Sequence, residues 1–125
     1  MFYGRPEYNS LHLLRDYFSA RPDAASKVVL SMKGGLTAER RPDGSPGFVR
    51  QCVERCLEVL PPSLKKIDLF QCARVDPNVP IESTMHALME LKEEGKIGGV
   101  GLSEVKAETI RRAYATRPRD RDAVY

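Results

Sequence analysis

KKIDLFQCARVDPNVPIESTMHALMELKEEGKIGGVGLSEV, residues 65–105, contains an apolar strand, a loop, an amphipathic helix and a second apolar strand ending in Gly and Ser, which together make one βαβ unit. The polar residues fall in two groups. Gln71 to Asp76, and then Ser103 with Glu104, each follow the carboxyl end of a strand, the edge on which parallel α/β proteins assemble their chemistry.

Outward from this unit the same alternation continues. Asn9 or Ser10 can cap a helix in which Leu11, Leu14 and Phe18 recur at helical spacing until Arg21 and Pro22 stop it. Residues 27–32 read as a strand, because Val28, Val29, Leu30 and Met32 form the nearly unbroken apolar run of a strand covered on both faces. Lys33, Gly34 and Gly35 open a polar, turn-rich loop that runs to Gly47. Ser45 caps the next helix with Pro46 at its first position, Phe48, Cys52, Cys56 and Leu60 supply its inward stripe, and Pro61 with Pro62 ends it. Strands over 67–72 and 97–102 bracket a helix over 81–94, with Met85, Leu88 and Leu91 inward and Gly95 placed for a left-handed cap. A last helix over 106–116 precedes RPRDRDAVY, residues 117–125, which lacks any hydrophobic period and reads as a loose tail. The order is αβαβαβα.

The chain has 125 residues, about one domain, and at 42% hydrophobic and 30% charged its composition is globular. Its 20 basic and 17 acidic residues are mixed along the chain, so the net charge of +3 gives no argument for a nucleic-acid partner. No apolar run approaches the roughly 18 residues of a membrane span, and MFYGRPEYNS is not a signal peptide. The expectation is a soluble, cytoplasmic protein with no membrane partner. Cys52, Cys56 and Cys72 include no CxxC pair, so neither a disulfide framework nor a zinc site is signalled, and they read as small core residues. His12 and His86 lie within helical patterns without partners at metal-ligand spacing, and no metal is expected.

Such alternation implies parallel strands joined by right-handed crossovers, in either an open doubly wound sheet or part of a (β/α)8 barrel. Three strands leave two unpaired edges. The absence of GxGxxG and GxxxxGK[ST] removes the phosphate loops of open nucleotide-binding sheets. That favours an α/β chain forming a partial (β/α)8 TIM barrel, with three parallel strands alternating with helices.

FYG at 2–4, KVVLSMKGG at 27–35, IDLFQCARVDPNVPIEST at 67–84 and EEGKIGGVGLSEVKAETIRRA at 93–113 resemble, in order and spacing, consecutive segments of an aldo-keto reductase, an NADPH-dependent (β/α)8 enzyme. The ARVDP and GLSEV segments resemble the fungal pyridoxal reductase branch, and the resemblance runs from residue 1 to about residue 115. It implies that residues 1–116 are a partial NADP-dependent domain, from the end of the second strand to the fifth helix, followed by the tail over 117–125.

The resemblance also implies a chemistry. Carbonyl reduction moves a hydride from NADPH to the carbonyl carbon and a proton to its oxygen, so an acid must be held beside that oxygen. In the family a Tyr in a short YG motif is that acid, and Tyr3 matches it. A phenol with a pKa near 10 needs a neighbouring cation at neutral pH, a role the resemblance gives to Lys33. Residue by residue, a Tyr near the N-terminus and a Lys after a strand are ordinary surface residues. The family's His after the next strand has no counterpart at Ala73; Arg74, which follows, is either a substrate-binding donor or a loop ion pair. Ser103 and Glu104 correspond to the Ser and Asn that grip the nicotinamide carboxamide, Glu104 being a departure, while Ser103 could equally begin a helix cap.

A chain of this length would lack the family's Asp beside the Lys and the strands that hold the phosphates of NADP. Three readings result. In the first the chain is an NADP-dependent oxidoreductase that reduces a small-molecule aldehyde such as pyridoxal, truncated and inactive when isolated. In the second it is a relic or half-barrel that pairs with a homologous partner through its exposed strand edges. In the third it is a small open α/β binding module.

Overall fold

The computed structural model describes residues 4–116. Their centre is a parallel sheet of β3 (Ser31–Gly34), β4 (Leu69–Cys72) and β5 (Gly99–Leu102), in that spatial order. The register is set row by row: Ser31 lies beside Leu69 and Gly99, and Lys33 beside Gln71 and Gly101. Because successive side chains alternate across a strand, Met32, Phe70 and Val100 form a row on the opposite face. All three are buried, in one core with the helices. The helices between and beside the strands are α1 (Ser10–Ala20), α2 (Pro46–Val59), α3 (Ile81–Glu93) and α4 (Ala107–Ala115). Each helix packs against the next, α1 on α2, α2 on α3 and α3 on α4.

Local chemistry accounts for the helix boundaries. Asn9 caps α1 as its Oδ1 accepts from the Leu11 N–H at 3.0 Å, and His12 returns the favour by accepting from the Asn9 N–H at 3.2 Å. His12 is thus a capping residue. At the other end of α3, the Lys96 N–H donates to the Leu91 carbonyl at 3.0 Å and the Gly95 N–H to the Lys92 carbonyl at 2.9 Å, a Schellman closure. The closure needs a left-handed residue, and Gly95 supplies it at φ 74°.

Two expectations require correction, and one element is additional to them. Residues 27–32 are not one strand. Residues Pro22–Lys27 form a 3-10 helix and the paired strand begins at Ser31, while Val28 is 40% and Val29 82% exposed. Among the described residues β3 has a paired neighbour on one side only, and nothing covers Val29 in the run leading into it. The inward stripe of α2 is Val49, Val53, Cys56 and Leu60, with Phe48 and Cys52 only half-buried. Steps of four residues overshoot a full turn by about 40° each, so a stripe spaced only by fours drifts around the helix, whereas 4-3-4 spacing stays on one face. Before α1 lies an unforeseen two-residue hairpin, β1 (Gly4–Arg5) with β2 (Tyr8–Asn9).

One polar lock holds the sheet and another joins two helices. At its amino-terminal end Asp68 Oδ2 accepts from the Leu30 N–H at 2.7 Å and from Lys65 Nζ at 2.6 Å, tying the entry of β3 to that of β4. Lys65 is 6% exposed. On the outer surface Arg50 of α2 reaches Glu90 and Glu94 of α3, and Lys96 joins Glu54 to Glu94. The Arg50 and Lys96 donors hold the Glu94 carboxyl down to about 2.

Two of the three thiols are the core residues expected of them, and Cys52 lies at the core's margin. Cys56 and Cys72 are buried, and burial pushes their pKa values to about 11 and about 12. Cys52 is half-buried and also raised by desolvation. A thiol must ionise to react. With a thiol-specific disulfide reagent at pH 8, peptide mapping of the folded protein should therefore find Cys52 modified well before Cys56 or Cys72. Modification of Cys72 at the same rate as Cys52 would contradict this packing.

Candidate functional site

Beyond the carboxyl end of the sheet the parallel hydrogen bonding continues for one more step. The Ala73 N–H donates to the Gly34 carbonyl at 2.9 Å and the Ser103 N–H to the Cys72 carbonyl at 3.1 Å. The residues following β4 and β5 are therefore fixed relative to Lys33 and Gly34 rather than left to the loops. Lys33 Nζ donates to Ser103 Oγ at 3.1 Å, bridging the two outer strands across β4. Arg74 Nη2 pairs with Glu104 Oε1 at 2.9 Å, and Arg74 Nη1 donates to the Ala73 carbonyl at 2.6 Å. Lys33, Arg74, Ser103 and Glu104 thus converge at one end of the sheet, and Arg74 does make the loop ion pair. Tyr3 lies outside the described residues.

Gln71 opens the first of the two polar groups of the sequence, although no particular role falls to it there. It sits in the same cross-strand row as Lys33, and its amide donates to Ser31 Oγ at 2.7 Å. Its side chain also leans over β5. A Cβ on Gly101 would stand 2.7 Å from Gln71 Cγ, so only glycine leaves that space. The signal in the sequence was GGVG, whose glycines at alternate positions clear one face of the strand for its neighbour's side chains.

Beneath this row the loops are joined. Asp76 Oδ2 accepts from the Gly44 N–H at 3.0 Å, Asp76 Oδ1 accepts from the Asn78 N–H at 2.8 Å, and Thr84 Oγ1 donates to the Gly44 carbonyl at 2.7 Å. Asp76 and Thr84 are both buried. Together they fasten the loop after β3 to the loop after β4. A cavity of about 690 Å³ opens beside them, lined by Ser31, Lys33, Arg40, Arg74 and Glu104 among others. Chemically the arrangement offers an ammonium, two guanidiniums, a carboxylate and hydroxyls around a space large enough for a small aromatic molecule. Among the described residues no group of three or more His, Cys, Asp and Glu could hold a metal ion, and no helix is long and apolar enough to cross a membrane.

Comparison with known proteins places this geometry. The aldo/keto reductase family model matches residues 2–124, a span that runs into the segment read as a tail. A probable pyridoxal reductase of Schizosaccharomyces pombe is 50% identical over 119 residues, covering 94% of this chain and 35% of that protein. A probable aldo-keto reductase of Glycine max is 44% identical over 96 residues, covering 74% of this chain and 27% of that protein. Among solved structures, glycerol dehydrogenase from Gluconobacter oxydans superposes with a TM-score of 0.72 at 25% identity, covering 88% of this chain and 35% of that one. The chain spans about a third of the length of the first curated relatives it matches.

Proposed function

The chain belongs to the aldo/keto reductase family, its three strands and their helices being part of a (β/α)8 barrel, and from that membership we propose that it contributes the Lys33 side of a site that reduces an aldehyde such as pyridoxal to the alcohol with NADPH. The observation that carries the proposal is the Lys33 Nζ to Ser103 Oγ hydrogen bond, which brings residues 70 positions apart to one point at the carboxyl end of the sheet. A cation held there can lower the cost of ionising a phenol beside a carbonyl oxygen. Tyr3 is the phenol in this proposal.

The residues present suit the nicotinamide end of the cofactor. Ser103 Oγ both accepts and donates, as a carboxamide requires, and its partner Lys33 lines the cavity. When bound, NADPH supplies the hydride. Ser103 would grip the carboxamide, Lys33 would favour ionisation of Tyr3 as the proton leaves, and Arg74 with Glu104 would bound the substrate side. Further strands would complete the barrel along the free edges of β3 and β5, where Val29, Ile110 and Tyr114 are exposed.

The test is NADPH oxidation with pyridoxal, measured for the chain alone and mixed with a polypeptide carrying the remaining strands of its relatives. Turnover is expected in the mixture and not in the chain alone. An absence of turnover in both would defeat the reductase reading, and turnover by the chain alone would show that the added strands are dispensable.

A further inference from the structure

The loops leaving β4 and β5 each place one residue immediately beyond the last ladder hydrogen bond, Arg74 after Ala73 and Glu104 after Ser103. The register that sets Cys72 beside Leu102 therefore brings Arg74 up to Glu104, and Arg74 Nη2 meets Glu104 Oε1 at 2.9 Å. Glu104 has a left-handed backbone at φ 55°, where a Cβ meets a steric penalty that glycine escapes. The ion pair returns little stability, since its two side chains are 48% and 64% exposed. Strained residues of this kind gather at ligand sites. Arg74 and Glu104 both line the cavity that Lys33 lines.

The pair selects a ligand by its hydrogen-bonding groups. The guanidinium uses Nη1 on the Ala73 carbonyl and Nη2 on Glu104, and its fork carries more N–H donors than these two contacts need. The Glu104 carboxylate, which only accepts, likewise has more lone-pair sites than Arg74 Nη2 fills. A donor therefore stands beside an acceptor on the cavity wall. A hydroxyl, which both accepts and donates, suits the two together; a ligand carboxylate suits Arg74 but meets the negative charge of Glu104. We propose that the Arg74–Glu104 pair binds a hydroxyl group of a hydroxylated aldehyde substrate, with Glu104 as the residue that keeps acceptor-only anions from Arg74. The statement that the ligand is a substrate rests on the reductase reading. The binding itself is independent of turnover.

The experiment is calorimetry of the full chain with pyridoxine, benzoate and nicotinamide, small ring compounds that present hydroxyls, a carboxylate and a carboxamide. Pyridoxine, an alcohol, forms no imine with lysines. Glu104→Gly and Arg74→Met should each weaken pyridoxine by at least about tenfold, the scale of a lost hydrogen bond to a charged group. Benzoate should move the other way in Glu104→Gly, tightening by about threefold or more as Arg74 is released, and should weaken in Arg74→Met. Glu104→Gln, which removes the charge and keeps the length, should show the same gain for benzoate. Loss of fold would weaken both ligands, so the opposite signs separate selection from unfolding. Glycine is also the residue that the left-handed backbone at position 104 accepts most readily. Pyridoxine affinity unchanged in both Glu104→Gly and Arg74→Met, no saturable pyridoxine binding to the parent, or benzoate that gains in neither Glu104 variant would each overturn the proposal. So would a loss confined to nicotinamide, which would give the pair to the cofactor's carboxamide. Failure of the reductase reading would appear separately, as hydroxyl binding in a protein without turnover.

Discussion

Lys33→Met is expected to lower kcat/KM for pyridoxal reduction by at least about a hundredfold in the preparation that turns over, the scale of losing proton transfer from a tuned acid. Methionine keeps the length and apolar stem of the side chain but removes the ammonium. Its hydrogen bond to Ser103 goes with it. Ser103→Ala is the control, since it removes one neutral hydrogen-bonding partner and leaves the cation, and should cost about tenfold or less. A Lys33→Met protein retaining more than about a tenth of parental kcat/KM would remove Lys33 from the reaction.

Asp68→Ala should destabilise the fold by about 2–3 kcal/mol at pH 7, below the roughly 3–5 kcal/mol of a fully buried pair because Asp68 keeps 37% of its side chain exposed. The larger cost falls on Lys65, which would remain 6% exposed with its charge uncompensated, and the Leu30 N–H would lose its acceptor. Adding Lys65→Met should restore much of the loss, which denaturant unfolding of the single and double variants can measure. The pH dependence has a definite sign. Burial raises the Asp68 pKa, but the Leu30 N–H and Lys65 outweigh it and hold the carboxyl below its ordinary value of 3.8. Stability from this lock is therefore complete above about pH 4 and is lost as acid drives the pH down through the lowered value. Unfolding that shows no difference between parent and Asp68→Ala at pH 7 would dismiss the lock.

Much of the scaffold was legible because it depends on local pattern. The helices over Ser10–Ala20, Pro46–Val59, Ile81–Glu93 and Ala107–Ala115 follow the periodicity and turn residues of the chain, Asn9 and Gly95 among them, although Ser45 takes the N-cap position of α2 without a side-chain capping hydrogen bond. What misled was apolar character taken as burial. Val28 and Val29 look like a covered strand, yet they precede the paired residues and are exposed, because burial is set by what packs against a segment and not by its own apolar character. The polar locks were invisible for a related reason. Lys65 and Asp68 are ordinary surface residue types, and Asp76 meets Gly44 from 32 positions away. Of the site, the placement of Lys33, Arg74, Ser103 and Glu104 at one end followed from the shared direction of the strands. Their pairing did not, because the left-handed turn at Glu104 has no glycine to announce it.

The spatial order of β3, β4 and β5 is also their order in the chain, and each helix rests on its predecessor. A ribosome releases these units in the sequence in which they stack. Once β3 and α2 have emerged, β4 can add to an edge already formed, and β5 to the next, so no strand has to be inserted between two others that are already paired. Growth of the sheet during synthesis is therefore by addition at one growing margin, and the aggregation-prone surface on the nascent side is only ever one strand wide.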